Sequence, residues 1–313
     1  MLTALIAAAV LASGPTETPI DRTDTPSPMH GTLLAPEGQT RAVAVIIAGS
    51  GPTDRDGNSP QMGIVSATYR LLAEGLAEKG IATVRYDKRG AGANVMASIP
   101  EDRLRFDDFV DDARAFAAEA VARSGRPCAW LIGHSEGALI AEAAAARDDA
   151  GICGLILLSP AGRPAAVVLR EQYGQAPEPY RAQAFAVLDA LEAGTEPPAV
   201  DPALAAGFRA SVYPYLRSWF AFDPAALLAA YDGPVLIARG TTDIQVSAAD
   251  LDALAAAQPK ARVIRWEGAN HVLKTAPQDR AANIAAYMTP DLPLAPGVVD
   301  DVAGFILAFP PHP

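Results

Sequence analysis

From residue 31 onward, short unbroken apolar runs alternate with longer stretches whose apolar residues recur every three or four positions. Residues 43–48 (VAVIIA) are continuous and rich in branched side chains, the pattern of a strand covered on both faces. Ser66 then reads as the N-cap of a helix running to Lys79, with Leu72 and Leu76 four apart on its buried side and Gly80 as its stop. Residues 81–86 form the next strand. Phe106, Phe109, Val110, Ala113, Phe116, Ala120 and Val121 repeat at helical spacing until Gly125. Residues 130–132 read as a strand, 136–146 as a helix and 155–158 as a strand. This order predicts the α/β class, a parallel sheet with helices on both faces.

The alternation breaks at residue 163. As far as residue 231 the pattern is helical, interrupted by prolines and without a convincing strand, and half of the chain's aromatic residues lie there. Strand patterns return at 235–238 and 263–266, with helices at 248–257 and 298–309. A helical insertion inside an α/β domain is expected to form a lid over the strand ends, where ligands bind. The organisation expected is therefore a signal peptide and linker over 1–29, a first part of the core over 30–162, a helical lid over 163–231 and a second part of the core over 232–313.

Length and composition change this picture little. At 313 residues with 50% hydrophobic and 19% charged side chains, the chain can bury a large core. Its net charge of -11 excludes nucleic acid as a partner, because phosphates would be repelled. Residues 2–12 (LTALIAAAVLA) are apolar but too short for a stable membrane anchor, and read as an export signal that sends the protein to the periplasm or outside the cell. Residues 13–29 are rich in Thr, Pro and Asp and read as a linker. Cys128 and Cys153 start two apolar runs; two buried free thiols are expected, with a disulfide between neighbours as the alternative. With two cysteines and four histidines, no ligand set for a structural metal is expected.

The chemistry centres on Gly133-His134-Ser135-Glu136-Gly137, a G-x-S-x-G between a strand and a helix. That context is a nucleophile elbow, a tight turn that lifts a serine hydroxyl clear of the sheet and aims a helix N-terminus at the reacting oxygen. Serine needs a base. His30 and His312 fall in the terminal segments, and His134 lies inside the elbow with its side chain toward the flank of the turn, which leaves His271, just after the strand at 263–266. Asp243, following the strand at 235–238, is expected to orient His271; Asp250 and Asp252 are rivals that sit on the next helix. The loop Gly49-Ser50-Gly51-Pro52-Thr53-Asp54-Arg55-Asp56-Gly57 should supply one oxyanion amide, from Ser50 or next from Gly51, and Glu136 the other. The loop lacks the nucleotide-binding glycine patterns. Asp54, Arg55 and Asp56, and likewise Asp87 and Arg89, read as braces.

The segments GSGPTDRDG, YDKRGAG, GHSEG, GTTD and GANH, in this order, resemble the α/β-hydrolase superfamily, and more narrowly bacterial serine esterases whose oxyanion loop reads GSGPxDRDG. The resemblance spans residues 31–309. It implies an α/β-hydrolase fold with a mostly parallel eight-stranded sheet, an ester-cleaving triad of Ser135, Asp243 and His271, and no cofactor. Two departures bear on the acyl pocket: Ala48-Gly49 stands where many members have His-Gly, and Asn94 where many continue G-x-G-x-S.

The expected substrate is a small-molecule ester, with the aromatic lid suggesting an apolar acyl or aryl group. A thioesterase or serine peptidase of the same fold is the runner-up, although no anchors for peptide termini are visible. Haloalkane dehalogenation is disfavoured because it uses Asp at the elbow, and dienelactone-type hydrolysis because it uses Cys. A catalytically silent binding protein is the reading from another class.

Overall fold

The computed structural model describes residues 14–23, 28–96 and 99–309. Residues 2–12, read as an export signal, and His312 lie outside the described residues. Eight strands form one sheet: β1 Thr16–Arg22, β2 Met29–Ala35, β3 Ala42–Ile47, β4 Ile81–Tyr86, β5 Ala129–His134, β6 Ile152–Leu158, β7 Val235–Gly240 and β8 Arg262–Trp266. Their spatial order is β1-β2-β4-β3-β5-β6-β7-β8. β2 runs antiparallel to both β1 and β4, and every other pair is parallel.

The period-two rule explains the central strands. Val43, Val45 and Ile47 of β3 point into one apolar cluster, and Ala44, Ile46 and Ala48 into another on the opposite face. The first cluster is closed by α2 (Phe106–Ser124), α3 (Glu136–Arg147) and, beyond the insertion, the helix Ala248–Ala257. The second is closed by α1 (Thr68–Glu78) and the last helix, Val298–Ala308. At the start of α1 the cap position is not Ser66. It falls to Ala67 at φ 52°, while the Ser66 hydroxyl lies 2.9 Å from that of Thr68.

Two expectations are corrected. Residues 16–22, read as linker, are the edge strand β1, and His30 belongs to β2, where its Nδ1 meets Asp21 at 2.7 Å. Only Ile20 of β1 is buried, so its apolar signal is one residue strong, and Pro19 is tolerated because an edge strand leaves one row of amides unpaired. Cys128 and Cys153 are not free thiols: they form a disulfide with a Cα–Cα distance of 5.2 Å. Their strands are parallel neighbours, with Ala129 opposite Ile152, and this register brings the two residues together.

The insertion between β6 and β7 carries five α-helices: α4 Ala165–Tyr173, α5 Tyr180–Glu192, α6 Ala205–Phe208, α7 Tyr213–Phe220 and α8 Pro224–Ala229. It has an apolar cluster of its own, built on Val187, Leu188, Leu191, Phe208 and Leu216. Its aromatics Tyr215, Trp219 and Phe222 pack on Phe106 or Phe109 of α2. They join the insertion to the main core.

Candidate active site

Ser135 sits between β5 and α3 at φ 55° and ψ -122°, a strained backbone for a residue with a side chain. The flanking glycines are a steric requirement. A Cβ on Gly133 would lie 2.2 Å from the Gly137 carbonyl oxygen, and one on Gly137 would lie 2.3 Å from that of Ile47. The Ser135 amide donates to the Leu158 carbonyl at 2.9 Å, which pins the turn to β6.

His271 and Asp243 reach the same rim from the ends of β8 and β7. The His271 Nδ1 and Asp243 Oδ2 are 2.9 Å apart, and both side chains are buried. Asp243 Oδ1 accepts the amides of Gln245 and Val246 at 2.8 and 3.0 Å. Burial pushes this carboxyl up, but the facing imidazole, its hydrogen bond and the two amides outweigh burial and hold the pKa below its ordinary value. Asp243 is thus held ionised, and His271 carries its proton on Nδ1 and has Nε2 left for another partner. Ser135 and His271 line one cavity, with no hydrogen bond between them recorded among the described residues. The rivals stand elsewhere: Asp250 is paired with Arg163, and Asp252 with Arg265 at the surface.

His134 is fully committed. Its Nε2 lies 2.8 Å from the His271 carbonyl oxygen, and its Nδ1 lies 2.9 Å from the Tyr69 hydroxyl. That hydroxyl accepts the Gly49 amide at 3.0 Å, so its own proton goes to Nδ1 and the ring proton is assigned to Nε2. Burial, reinforced by the charge of His271, pulls the His134 pKa down to about 3. His134 is a neutral tether for the His271 loop. Thr68 adds a second tether, its hydroxyl donating to the Val272 carbonyl at 2.9 Å.

The glycine-rich loop after β3 brings Gly49 against the elbow, where a Cβ would sit 3.2 Å from that of Ser135. Ser50 lines the cavity. Glu136, at the start of α3, is buried with its side chain turned away to Lys88. Braces surround the loop. Arg55 binds Asp87 through two nitrogens and its amide, Arg85 binds Asp56 and Glu17, and Arg89 binds Asp112 at 2.7 Å through both nitrogens. Glu17 belongs to β1, so the segment read as linker supplies a partner for a buried arginine. Asn94, one of the two departures, is buried; it accepts the His30 amide at 2.7 Å and donates to the Asp87 carbonyl at 2.5 Å.

The cavity beside Ser135 has a volume of about 90 Å³ and is lined by Ser50, Met62, Ile64, Tyr69, His271 and Val272 among others. Gln245 and Tyr287, hydrogen-bonded to each other at 3.0 Å, separate it from a groove of about 640 Å³ lined by Gln172, Gln175, Gln278 and Arg280. Sequence reasoning missed Tyr69, Lys88 and Tyr287 at this site. Tyr69 sits in a segment read only for helix pattern, Lys88 lies inside YDKRGAG between the two residues read as braces, and no local pattern marks Tyr287.

A family model described as serine aminopeptidase, S33, matches residues 62–267, more than half of the chain. Among curated protein sequences no significant relative is found. Solved structures include similar folds. A soluble variant of monoglyceride lipase from Saccharomyces cerevisiae, in complex with a substrate analogue, is 16% identical, with a TM-score of 0.62 over 99% of this chain and 100% of that one. Est1E from Butyrivibrio proteoclasticus with ferulic acid bound is 18% identical, with a TM-score of 0.58 over 93% and 97%. A thermophilic esterase from Thermogutta terrifontis is 19% identical, with a TM-score of 0.53 over 82% and 92%. At these identities the likeness establishes the fold.

Proposed function

The chain belongs to the serine aminopeptidase, S33, family of α/β-hydrolases and is a hydrolase, and from that premise we propose that it cleaves small carboxylic esters through an acyl-enzyme on Ser135. The observation that carries this reading is the convergence of an elbow serine and an Asp243-held His271 on one small cavity. His271 takes the Ser135 proton as the hydroxyl attacks the ester carbonyl. Its Nδ1–H bond to Asp243 then stabilises the imidazolium. The amides of Ser50 and Glu136 hold the oxyanion, and the proton on Nε2 passes to the leaving alcohol. Water repeats the sequence on the acyl-enzyme.

Cavity size and lining narrow the substrate. About 90 Å³ suits a short acyl group, and the broader groove of mixed polar and apolar lining behind Gln245 and Tyr287 has room for the alcohol. The insertion's aromatics Tyr215, Trp219 and Phe222 are not among the residues that line this cavity, so they give no support to an apolar acyl or aryl preference. An aminopeptidase would need a carboxylate close to the serine to receive a free amino terminus. None lines the cavity among the described residues, and the carboxylate of Glu171 in the neighbouring groove is paired with Arg163. We further propose export to the periplasm or beyond the cell, supported by the disulfide, which persists in an oxidising compartment.

The test is hydrolysis of p-nitrophenyl esters from acetate to palmitate. Wild type should favour the shortest acyl chains, and Ser135→Ala should lose about 10⁴-fold or more in turnover. Turnover that survives Ser135→Ala would sink the assignment. No ester turnover, with Ser135 still labelled by a fluorophosphonate, would transfer the site to thioesters or peptides. No labelling would favour the silent binding protein.

A further inference from the structure

Lys88 lies in the charged turn after β4, its side chain buried, and its ammonium touches both segments that meet at Ser135. Nζ donates to the Gly49 carbonyl at 2.9 Å and to Glu136 Oε1 at 2.7 Å, and it sits 4.3 Å from the centre of the Phe109 ring. The Gly49 carbonyl and the Ser50 amide belong to one planar trans peptide and point in opposite directions. A donor fixed on that carbonyl therefore fixes where the Ser50 N–H points. Gly49 is also held by its own amide, which donates to the Tyr69 hydroxyl at 3.0 Å. The Thr53 hydroxyl donates to the Ser50 carbonyl at 3.3 Å, but the peptide between Gly49 and Ser50 itself is held by the ammonium, since Ser50 is exposed and its amide has no hydrogen-bond partner among the described residues. Glu136 is the residue whose amide would form the other half of the oxyanion site. The Tyr215 hydroxyl of α7 faces the same carboxylate, whose negative charge helps to raise the tyrosine's pKa, so the insertion reaches the same assembly.

We propose that Lys88 is a positioning residue that holds the two oxyanion-binding amides, Ser50 on one side and Glu136 on the other, at a fixed separation. The proposal rests on the acyl-transfer reading above, in which those amides bind the developing oxyanion. A buried ion pair is an uneconomical way to gain stability, since apolar replacements of similar volume are often neutral or stabilising. A role in geometry accounts for its place between the two segments. The pair is internally neutral, so it orients the amides without adding a net charge beside the serine.

The experiment uses two variants of the full chain, Lys88→Met alone and Lys88→Met combined with Glu136→Leu. The double variant leaves no unpaired buried charge, so it keeps the test available where the single variant fails to fold. Thermal unfolding first establishes that each variant is folded. The main readout is the second-order rate of Ser135 labelling by a fluorophosphonate, which loads the oxyanion site whatever the natural substrate is. A folded variant should label about 10- to 100-fold more slowly than wild type, below the loss for deleting a donor outright. On p-nitrophenyl acetate, kcat should fall in parallel while KM stays within about threefold, because the amides act in the transition state. Labelling within about threefold of wild type in a folded variant overturns the proposal, as does a loss confined to KM. Failure of the ester reading looks different: wild type would label but would not turn over the ester.

Discussion

The rim of the sheet around Ser135 and the helical insertion above it are built on opposite principles. At the rim, buried polar atoms hold one another: Asp243 engages three donors, His134 uses both ring nitrogens, and Lys88 joins two chain segments. The insertion holds together by apolar contact among Phe208, Leu188, Leu216 and their neighbours. The ion pairs between its own residues, such as Arg170 with Asp189, lie toward the surface, where screening leaves them little weight. Hydrogen bonds in a low dielectric fix positions to fractions of an ångström, whereas apolar contact fixes volume and tolerates small shifts. Variants at the rim should therefore cost rate more than stability, and variants in the insertion the reverse.

The largest effect after loss of the nucleophile is expected at Asp243. In Asp243→Asn the side-chain oxygen can still accept the amides of Gln245 and Val246. The new NH₂ then faces Nδ1 of His271 and favours the tautomer with its proton on Nε2, which cannot accept from serine. Turnover should fall about 10³- to 10⁴-fold, with stability lowered by no more than about 2 kcal/mol. Kinetics on p-nitrophenyl acetate and urea unfolding measure the two quantities. A loss below tenfold would mean that His271 is oriented by something other than Asp243.

Phe208→Ala is the counterpart in the insertion. Phe208 is 2% exposed, packs 4.8 Å from Tyr173 between ring centres and has no part in the cavity beside Ser135. Truncation should cost about 3–5 kcal/mol of stability and leave turnover within about threefold at a temperature where the protein is folded. A tenfold loss of turnover in a stable variant would break the comparison and make the insertion part of the catalytic geometry.

The same division explains what the sequence revealed. Ser135, Asp243 and His271 were legible because each follows a strand whose apolar run marks a sheet, and strand ends are where a site forms. The sheet itself was readable wherever two buried faces produced an unbroken run, as in β3. β1 was hidden because an edge strand with one buried residue carries almost no apolar signal. The disulfide depends on the register between β5 and β6, which is a long-range property. Lys88 and Tyr69 were hidden for a related reason: a buried lysine or tyrosine acquires its meaning from partners 39 and 65 positions away, and no local spacing announces them.

The smallest effect expected concerns His134 and is read through pH. In the native state its pKa lies near 3, whereas in the unfolded chain it returns to about 6.5. Between those values the unfolded chain binds a proton that the native state refuses, so this residue's contribution is complete above pH 6.5 and drains away as pH falls toward 3. One proton corresponds to about 1.4 kcal/mol per pH unit, or roughly 2 kcal/mol by pH 5. His134→Gln removes the titration, while Gln can keep only part of the link between Tyr69 and the His271 carbonyl. The variant should therefore be less stable than wild type at pH 7, and the gap should narrow by about 1.4 kcal/mol for each unit below 6.5. Urea unfolding of both proteins at pH 7, 6 and 5 cancels the other titrating groups by subtraction. A gap that stays constant would mean that the folded and unfolded chains take up the His134 proton alike, so that the ring is charged in the native state below pH 6.5. The Tyr69–His134–His271 chain would then run with its hydrogen bonds reversed at Nδ1, and the neutral tether that ties the rim together would be lost.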